Sequence, residues 1–143
     1  MEVLLGLDFG EKRIGVAVTD EAGMMAFPLE TVEFRGRKQF LEELTRIVDE
    51  YRVKKIIVGL PKTLKGEIGP AAKNIIEHVE WLKGFLGKPW IFWDERLTTA
   101  EVERVLLEGD ASRAKRRDVR DKLAAQRILQ NYMDYHRNQE REL

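Results

Sequence analysis

The 143-residue chain reads as an α/β protein: a five-stranded mixed sheet with its first three strands antiparallel, helices on both faces, and the order β-β-β-α-β-α-β-α. Three observations predict this. The first third alternates short apolar runs with turn residues, as hairpin-linked strands do. From Arg37 the apolar period becomes that of a helix. Beyond it, strand-length and helix-length segments alternate, as in parallel strands joined by crossovers.

Val3 to Asp8 is the first strand and Ile14 to Thr19 the second, joined by a charged turn holding Gly10, Glu11, Lys12 and Arg13. Glu21 to Gly23 is a turn signal. Met25 to Phe34 is the third strand, and Pro28 favours an edge position there because proline cannot donate to a ladder. In Arg37 to Arg52, Phe40, Leu41, Leu44, Ile47, Val48 and Tyr51 fall on one helical face. Lys54 to Pro61 is a short buried strand. The polar loop "KTLKGEIGP" leads to a helix with the stripe Ala72, Ile75, Ile76, Val79, Leu82 and Leu86. Trp90 to Trp93 is the fifth strand. Thr98 and Glu101 form a capping box for a helix stopping at Gly109. A short basic segment, Asp110 to Arg120, precedes the last helix, expected from about Val119 to Tyr135.

Composition narrows the function classes. With 43% hydrophobic and 35% charged residues, the chain is a globular one, read as a single domain over residues 1–143. The absence of cysteine excludes a disulfide framework, a thiolate zinc site and a cysteine nucleophile. No apolar stretch approaches the roughly 20 residues of a membrane span, and no signal core opens the chain, so a cytoplasmic protein without a membrane partner is expected. Basic and acidic residues number 25 each, so a polyanionic partner would need local segregation of charge.

Three acids stand at element ends. Asp8 ends the first strand, and Asp94 and Glu95 end the fifth. Strands one, four and five are the expected parallel set, so their carboxyl ends share one rim, where open α/β sheets place ligands. In the last helix, Ala124, Ala125, Ile128, Leu129 and Tyr132 make the apolar stripe, and Asp121 lies one turn earlier on that face. A carboxylate there is costly unless paired, hydrogen-bonded or metal-bound. The small Ala124–Ala125 pair would let the helix approach the sheet and bring Asp121 toward Asp8. Converging carboxylates suit a hard cation, Mg²⁺ or Mn²⁺. A pair of such ions about 3.5–4 Å apart can clamp a phosphodiester displacement. Each acid alone has a plainer reading: Asp8 as a turn cap, Glu95 as an exposed acid before a helix, Asp121 as a first-turn acid favoured by the helix dipole.

The run "SRAKRRDVR" carries Arg113, Lys115, Arg116 and Arg117 just before Asp121. Alone it reads as a solvated loop. Beside a carboxylate cluster it suits phosphate contacts, with Lys12, Arg13, Lys62 and Arg96 expected on the same rim. Gly6, Gly10 and Gly15 do not make a dinucleotide-binding loop; Gly10 suits the turn, and Gly15 a bulge or close backbone approach. Trp81, Trp90 and Trp93 read as core or partly buried, and His78 and His136 as ordinary surface residues.

Together "GLDFGEKRIGVAVTD", "IIVGLPKTLKGEIG", "WDERLTTAEVE" and "RDKLAAQRILQNYMDY" resemble the YqgF/RuvX family, in order, over about Val3 to Tyr135. The resemblance implies an RNase H-like fold and an acid triad like that of Holliday junction resolvases. It implies a nuclease that matures the 5′ end of pre-16S ribosomal RNA, or a resolvase-like enzyme. Carried over by motif, the catalytic and metal-binding acids would be Asp8, Glu95 and Asp121. Many resolvase-like relatives carry a fourth acid near the third; the nearest candidate here, Asp118, is on a different part of the helix surface.

The leading expectation is therefore a Mg²⁺- or Mn²⁺-dependent hydrolase of structured RNA or branched DNA, with a ribosomal precursor as candidate partner. Two other classes share features with it. The strand–Asp-x-Gly–strand hairpin also opens the actin, Hsp70 and sugar-kinase ATPases, which need a second domain and a second phosphate hairpin. A non-catalytic module of ribosomal or transcription complexes would keep the acids for stability alone.

Overall fold

Period-two alternation along the first two strands sends bulky side chains to one face of a sheet and small ones to the other. The computed structural model describes residues 2–61, 67–94 and 113–142, with the side chains of the last helix described over 121–136. The strands are β1 (Val3–Phe9), β2 (Arg13–Thr19), β3 (Ala26–Glu33), β4 (Val53–Leu60) and β5 (Trp90–Asp94); the helices are α1 (Arg37–Tyr51), α2 (Pro70–Lys83) and α3 (Arg113–Glu142). The sheet order is β3-β2-β1-β4-β5. β1 pairs antiparallel with β2, and β2 with β3, while β1–β4 and β4–β5 are parallel. The mixed five-stranded sheet is thus the expected one. The helix expected between Thr98 and Gly109 lies outside the described residues.

Pro28 sits on the edge strand β3, as its missing N–H requires. The β2–β3 register shifts beside it: Val16 faces Glu30 and Ala17 faces Pro28, so Leu29 is the extra residue of a bulge.

The two faces of the sheet differ. On one, Leu5, Leu7, Ile14, Val16, Val18, Ile56 and Val58 pack against Phe40, Leu44, Ile47 and Val48 of α1 and Ala72, Ile75, Val79 and Leu82 of α2. On the other, Ala17, Ala26 and Ile57 pack against Ala125, Ile128, Leu129, Tyr132 and Met133 of α3, with Trp93 at the margin. Small strand residues set the spacing of this second layer. A Cβ on Gly6 would lie 2.9 Å from Leu129 Cβ and 3.0 Å from the Ala125 carbonyl oxygen, so only glycine admits the helix at that depth.

α3 begins at Arg113, six residues before the expected start at Val119. The basic run therefore lies in the opening turns of the helix and is not a loop. Arg, Lys and Ala are good helix formers, so these turns can be helical without an apolar stripe. No helix among the described residues is long and apolar enough to cross a membrane.

Candidate functional site

Asp8 is the second-last residue of β1, the central strand, and pairs across the ladder with Gly15 of β2. Leu5, Leu7 and Phe9 belong to the α1–α2 face. Alternation therefore gives Asp8 the α3 face, with Gly6. Its neighbour Gly15 is where α3 descends: a Cβ there would overlap the main-chain carbonyl of Asp121. Gly15 thus makes the close backbone approach that was one of its two readings. Through it, Asp121 is seated on the residue that pairs with Asp8. The turn at Asp121 and the end of β1 share one rim.

Two further contacts hold α3 in register. Ala26 of β3 donates its main-chain N–H to Gln130 Oε1 at 2.9 Å, and Gln126 Nε2 donates to the Ala26 carbonyl at 3.1 Å. The two glutamines, four apart on one helix face, read Ala26 as a neighbouring strand would. Sequence reasoning did not single them out; their only signal is the i, i+4 spacing beside the apolar stripe.

The turn joining β1 to β2 is tight. Gly10 donates its N–H to the Arg13 carbonyl at 2.8 Å, and Phe34 donates to the Lys12 carbonyl at 2.9 Å. Gly10 has no positive φ. It is required by space, since a Cβ would sit 2.8 Å from the Arg13 carbonyl oxygen. Lys12 is exposed at the tip. Arg13 is not simply displayed for a ligand: its Nε donates to Asp121 Oδ2 at 3.2 Å across 108 residues of sequence. Both side chains are largely shielded, at 26% and 16% exposure. The rim therefore already presents a cation against one of its acids.

Of the predicted site residues, the fold brings together Asp8, Asp121, Arg13 and Lys12. The main chain of Arg113, Lys115, Arg116 and Arg117 lies on α3, with Arg113 about 12 Å along the axis from Asp121 at the helical rise. Glu95, Lys62 and Arg96 lie outside the described residues. Asp94 is described and partly buried, paired in register with Leu60 at the end of β5. Because Trp93 belongs to the α3 face, alternation turns Asp94 to the opposite one, away from Asp8. Among the described residues no three acids or histidines form one metal-sized group. The part of the set that is described fits a hard divalent cation: carboxylate oxygens, no thiolate, and a local geometry that already draws a positive charge.

His78 is not an ordinary surface residue. It is partly buried, with Phe9, Phe34 and Phe40 around it at centroid distances of 5.3, 5.1 and 5.8 Å. Burial, and then the nearby Arg37 cation, push its pKa below the ordinary 6.5, which favours the neutral ring. Trp93 packs edge-on to Tyr132 at 5.6 Å, in keeping with a partly buried role.

Comparison with known proteins gives the class first. The fold is that of the RNase H-like resolvases. Residues across 96% of this chain superpose on 97% of Thermus thermophilus RuvC, solved in complex with a Holliday junction substrate, at TM-score 0.60 and 16% identity. The fowlpox virus resolvase, solved with Holliday junction DNA, gives TM-score 0.55 and 12% identity over 93% of this chain and 97% of that one. The family follows from sequence. The RuvX model, described as Holliday junction resolvase, matches residues 2–135. A protein of Desulforudis audaxviator is 48% identical over 92% of this chain and 93% of its own length. One of Thermoanaerobacter pseudethanolicus is 49% identical over 94% and 98%. Both carry the name "Putative pre-16S rRNA nuclease". The chain belongs to the RuvX (YqgF) family, a family of nucleases.

Proposed function

We propose that this chain is a divalent-metal-dependent endonuclease that hydrolyses phosphodiester bonds in structured RNA, at the 5′ end of pre-16S ribosomal RNA. The observation that carries the reading is the seating of Asp121 on Gly15, the ladder partner of Asp8. The name borne by relatives at 48% and 49% identity supports the substrate. A single-domain nuclease reading absorbs the Asp-x-Gly hairpin without the second domain that an ATPase needs.

In this reading Asp8, Asp121 and Glu95 hold Mg²⁺ or Mn²⁺. The bound ion supplies an activated water and offsets charge on the phosphate. Asp8 contributes a carboxylate fixed on the central strand. Asp121 contributes one whose height above the sheet is set by glycine and whose helix is tied by Gln126 and Gln130 to Ala26. Arg13 uses Nε toward Asp121, and the rest of its guanidinium fork serves a phosphate oxygen, as does Lys12. The opening turns of α3, with Arg113, Lys115, Arg116 and Arg117, seat the backbone farther from the cut, and Lys62 and Arg96 are assigned as further phosphate contacts. This supplies the segregated charge that a chain of zero net charge needs.

The family description favours a second substrate, branched DNA. One experiment separates the two: Mn²⁺ with either a 5′-extended 16S precursor fragment or a four-way DNA junction, and Asp8→Asn as control. Cleavage of the RNA fragment, lost by at least 100-fold in Asp8→Asn with circular dichroism and melting preserved, is expected. Undiminished cleavage by pure Asp8→Asn would sink the catalytic assignment, and cleavage of the junction alone would replace the substrate.

A further inference from the structure

The β1–β2 hairpin has two sides. One carries Asp8 and faces α3. The other walls a cleft of about 370 Å³ that reaches α2 and is lined by Phe9, Glu11, Phe34, Asn74 and His78, with Gly10 at its edge. We propose that this cleft holds one unpaired base of the nucleic acid whose backbone lies on the other side of the hairpin. The proposal rests on the nuclease reading for its ligand and on the cleft alone for its chemistry.

Four features select a base. The volume lies at the small end of ligand sites, enough for a single planar ring system and its sugar. The lining is aromatic: Phe9, Phe34 and His78 meet at 5.1 to 5.3 Å, and Phe34 keeps 37% of its surface exposed. An exposed flat ring such as that of Phe34, backed by other aromatic rings, is what a splayed-out base stacks upon. The polar groups are an amide, Asn74, and a carboxylate, Glu11, which pair with amino and imino edges. Finally, among the described residues the lining contains no lysine or arginine, while Lys12 and Arg13 in the same turn offer charge outside it.

The position adds a constraint. Gly10 to Arg13 is a closed turn, held by the Gly10–Arg13 and Phe34–Lys12 main-chain bonds. Phe34 is thus tied to the same turn that presents Arg13 to Asp121. A base against Phe34 and a phosphate against Arg13 would be held in fixed relation by one short piece of backbone. His78 Nε2 is buried with no hydrogen-bond partner among the described residues, which fits a ring used for its face and not for its edge.

The test uses the full chain in EDTA, so that binding is read without cleavage. Probes are a six-nucleotide single-stranded oligoadenylate and an abasic ribose–phosphate strand of equal length and charge. Wild type should bind the oligoadenylate roughly tenfold more tightly than the abasic strand, the size expected for one stacked base. Phe34→Ala and Asn74→Ala, both at exposed positions, should reduce that preference to threefold or less. The His78 ring C–H resonances should move with oligoadenylate and not with the abasic strand, with His136 as internal reference. Equal affinity for both strands in wild type overturns the proposal. So does an unchanged preference in Phe34→Ala, or saturation without movement of the His78 resonances. Tighter binding of free adenosine monophosphate than of the oligomer makes this a nucleotide site and also overturns it. None of these results depends on Asp8, so cleavage lost or kept in Asp8→Asn is judged separately.

Discussion

The two faces of the sheet solve different problems. The α1–α2 face is filled with Leu, Ile, Val and Phe, and its helices rest on side chains. The α3 face is floored by Gly6, Gly15 and Ala17, and its helix rests partly on main chain. The first maximises apolar area removed from water, which is where folding free energy comes from. The second gives up area for proximity. A helix carrying an acid has to come close enough to the central strand for two carboxylates to share a rim, and bulky floor residues would hold it off. Stability and site geometry are therefore carried on opposite sides of the same five strands.

That division can be broken on either side. The largest effect on stability should come from Phe40→Ala, since Phe40 is 1% exposed at the centre of the first layer. A loss of about 3–5 kcal/mol is expected in denaturant unfolding, with cleavage per folded molecule nearly unchanged. Gly15→Ala should do the reverse in proportion. Displacing α3 should cost about 1–3 kcal/mol, yet cleavage should fall far more than the folded fraction does. If Gly15→Ala retained wild-type turnover, the closeness of α3 would not be what the site requires.

The smallest effect sharpens the contrast through pH. His78 is the titratable ring in the aromatic cluster on the α1–α2 side. Its folded pKa lies below 6.5, so the unfolded chain binds the proton more readily. The stability this contributes is fully present above pH 6.5 and is lost as pH falls from there through the lower folded pKa. Melting curves between pH 7.5 and about 5 should show that decline in wild type, and His78→Phe should flatten it. An identical decline in His78→Phe would move its origin to other groups.

The sheet was legible because strand and helix periods differ and each apolar run kept one period over its length. Pro28 marked the edge for a reason that holds in any fold. The last helix was placed six residues late because its opening turns carry charge and no stripe, so period alone had nothing to detect. Asp8 and Asp121 were legible as candidates, since an acid at the end of a buried strand and an acid on an apolar helix face both conflict with their surroundings. What lay beyond the sequence was long-range. Arg13 and Asp121 are 108 residues apart, and Gln126 and Gln130 find Ala26 across 100 and 104 positions. Nothing local in "EKRIG" or "AAQRILQ" announces those partners. His78 was misread for the same reason: its phenylalanines come from the ends of β1 and β3 and from α1.

The glycine seat has a mechanical corollary. α3 is one rod of 30 residues, tied near its middle to Ala26 and bearing on the sheet at Gly15, with its opening turns projecting beyond that bearing point. Gly15 is then a fulcrum. A rocking of the rod about it cannot shift Asp121 without swinging the turns from Arg113 to Arg117 through a larger arc. Asp121 and the basic opening turns are geared to each other by the stiffness of a single helix.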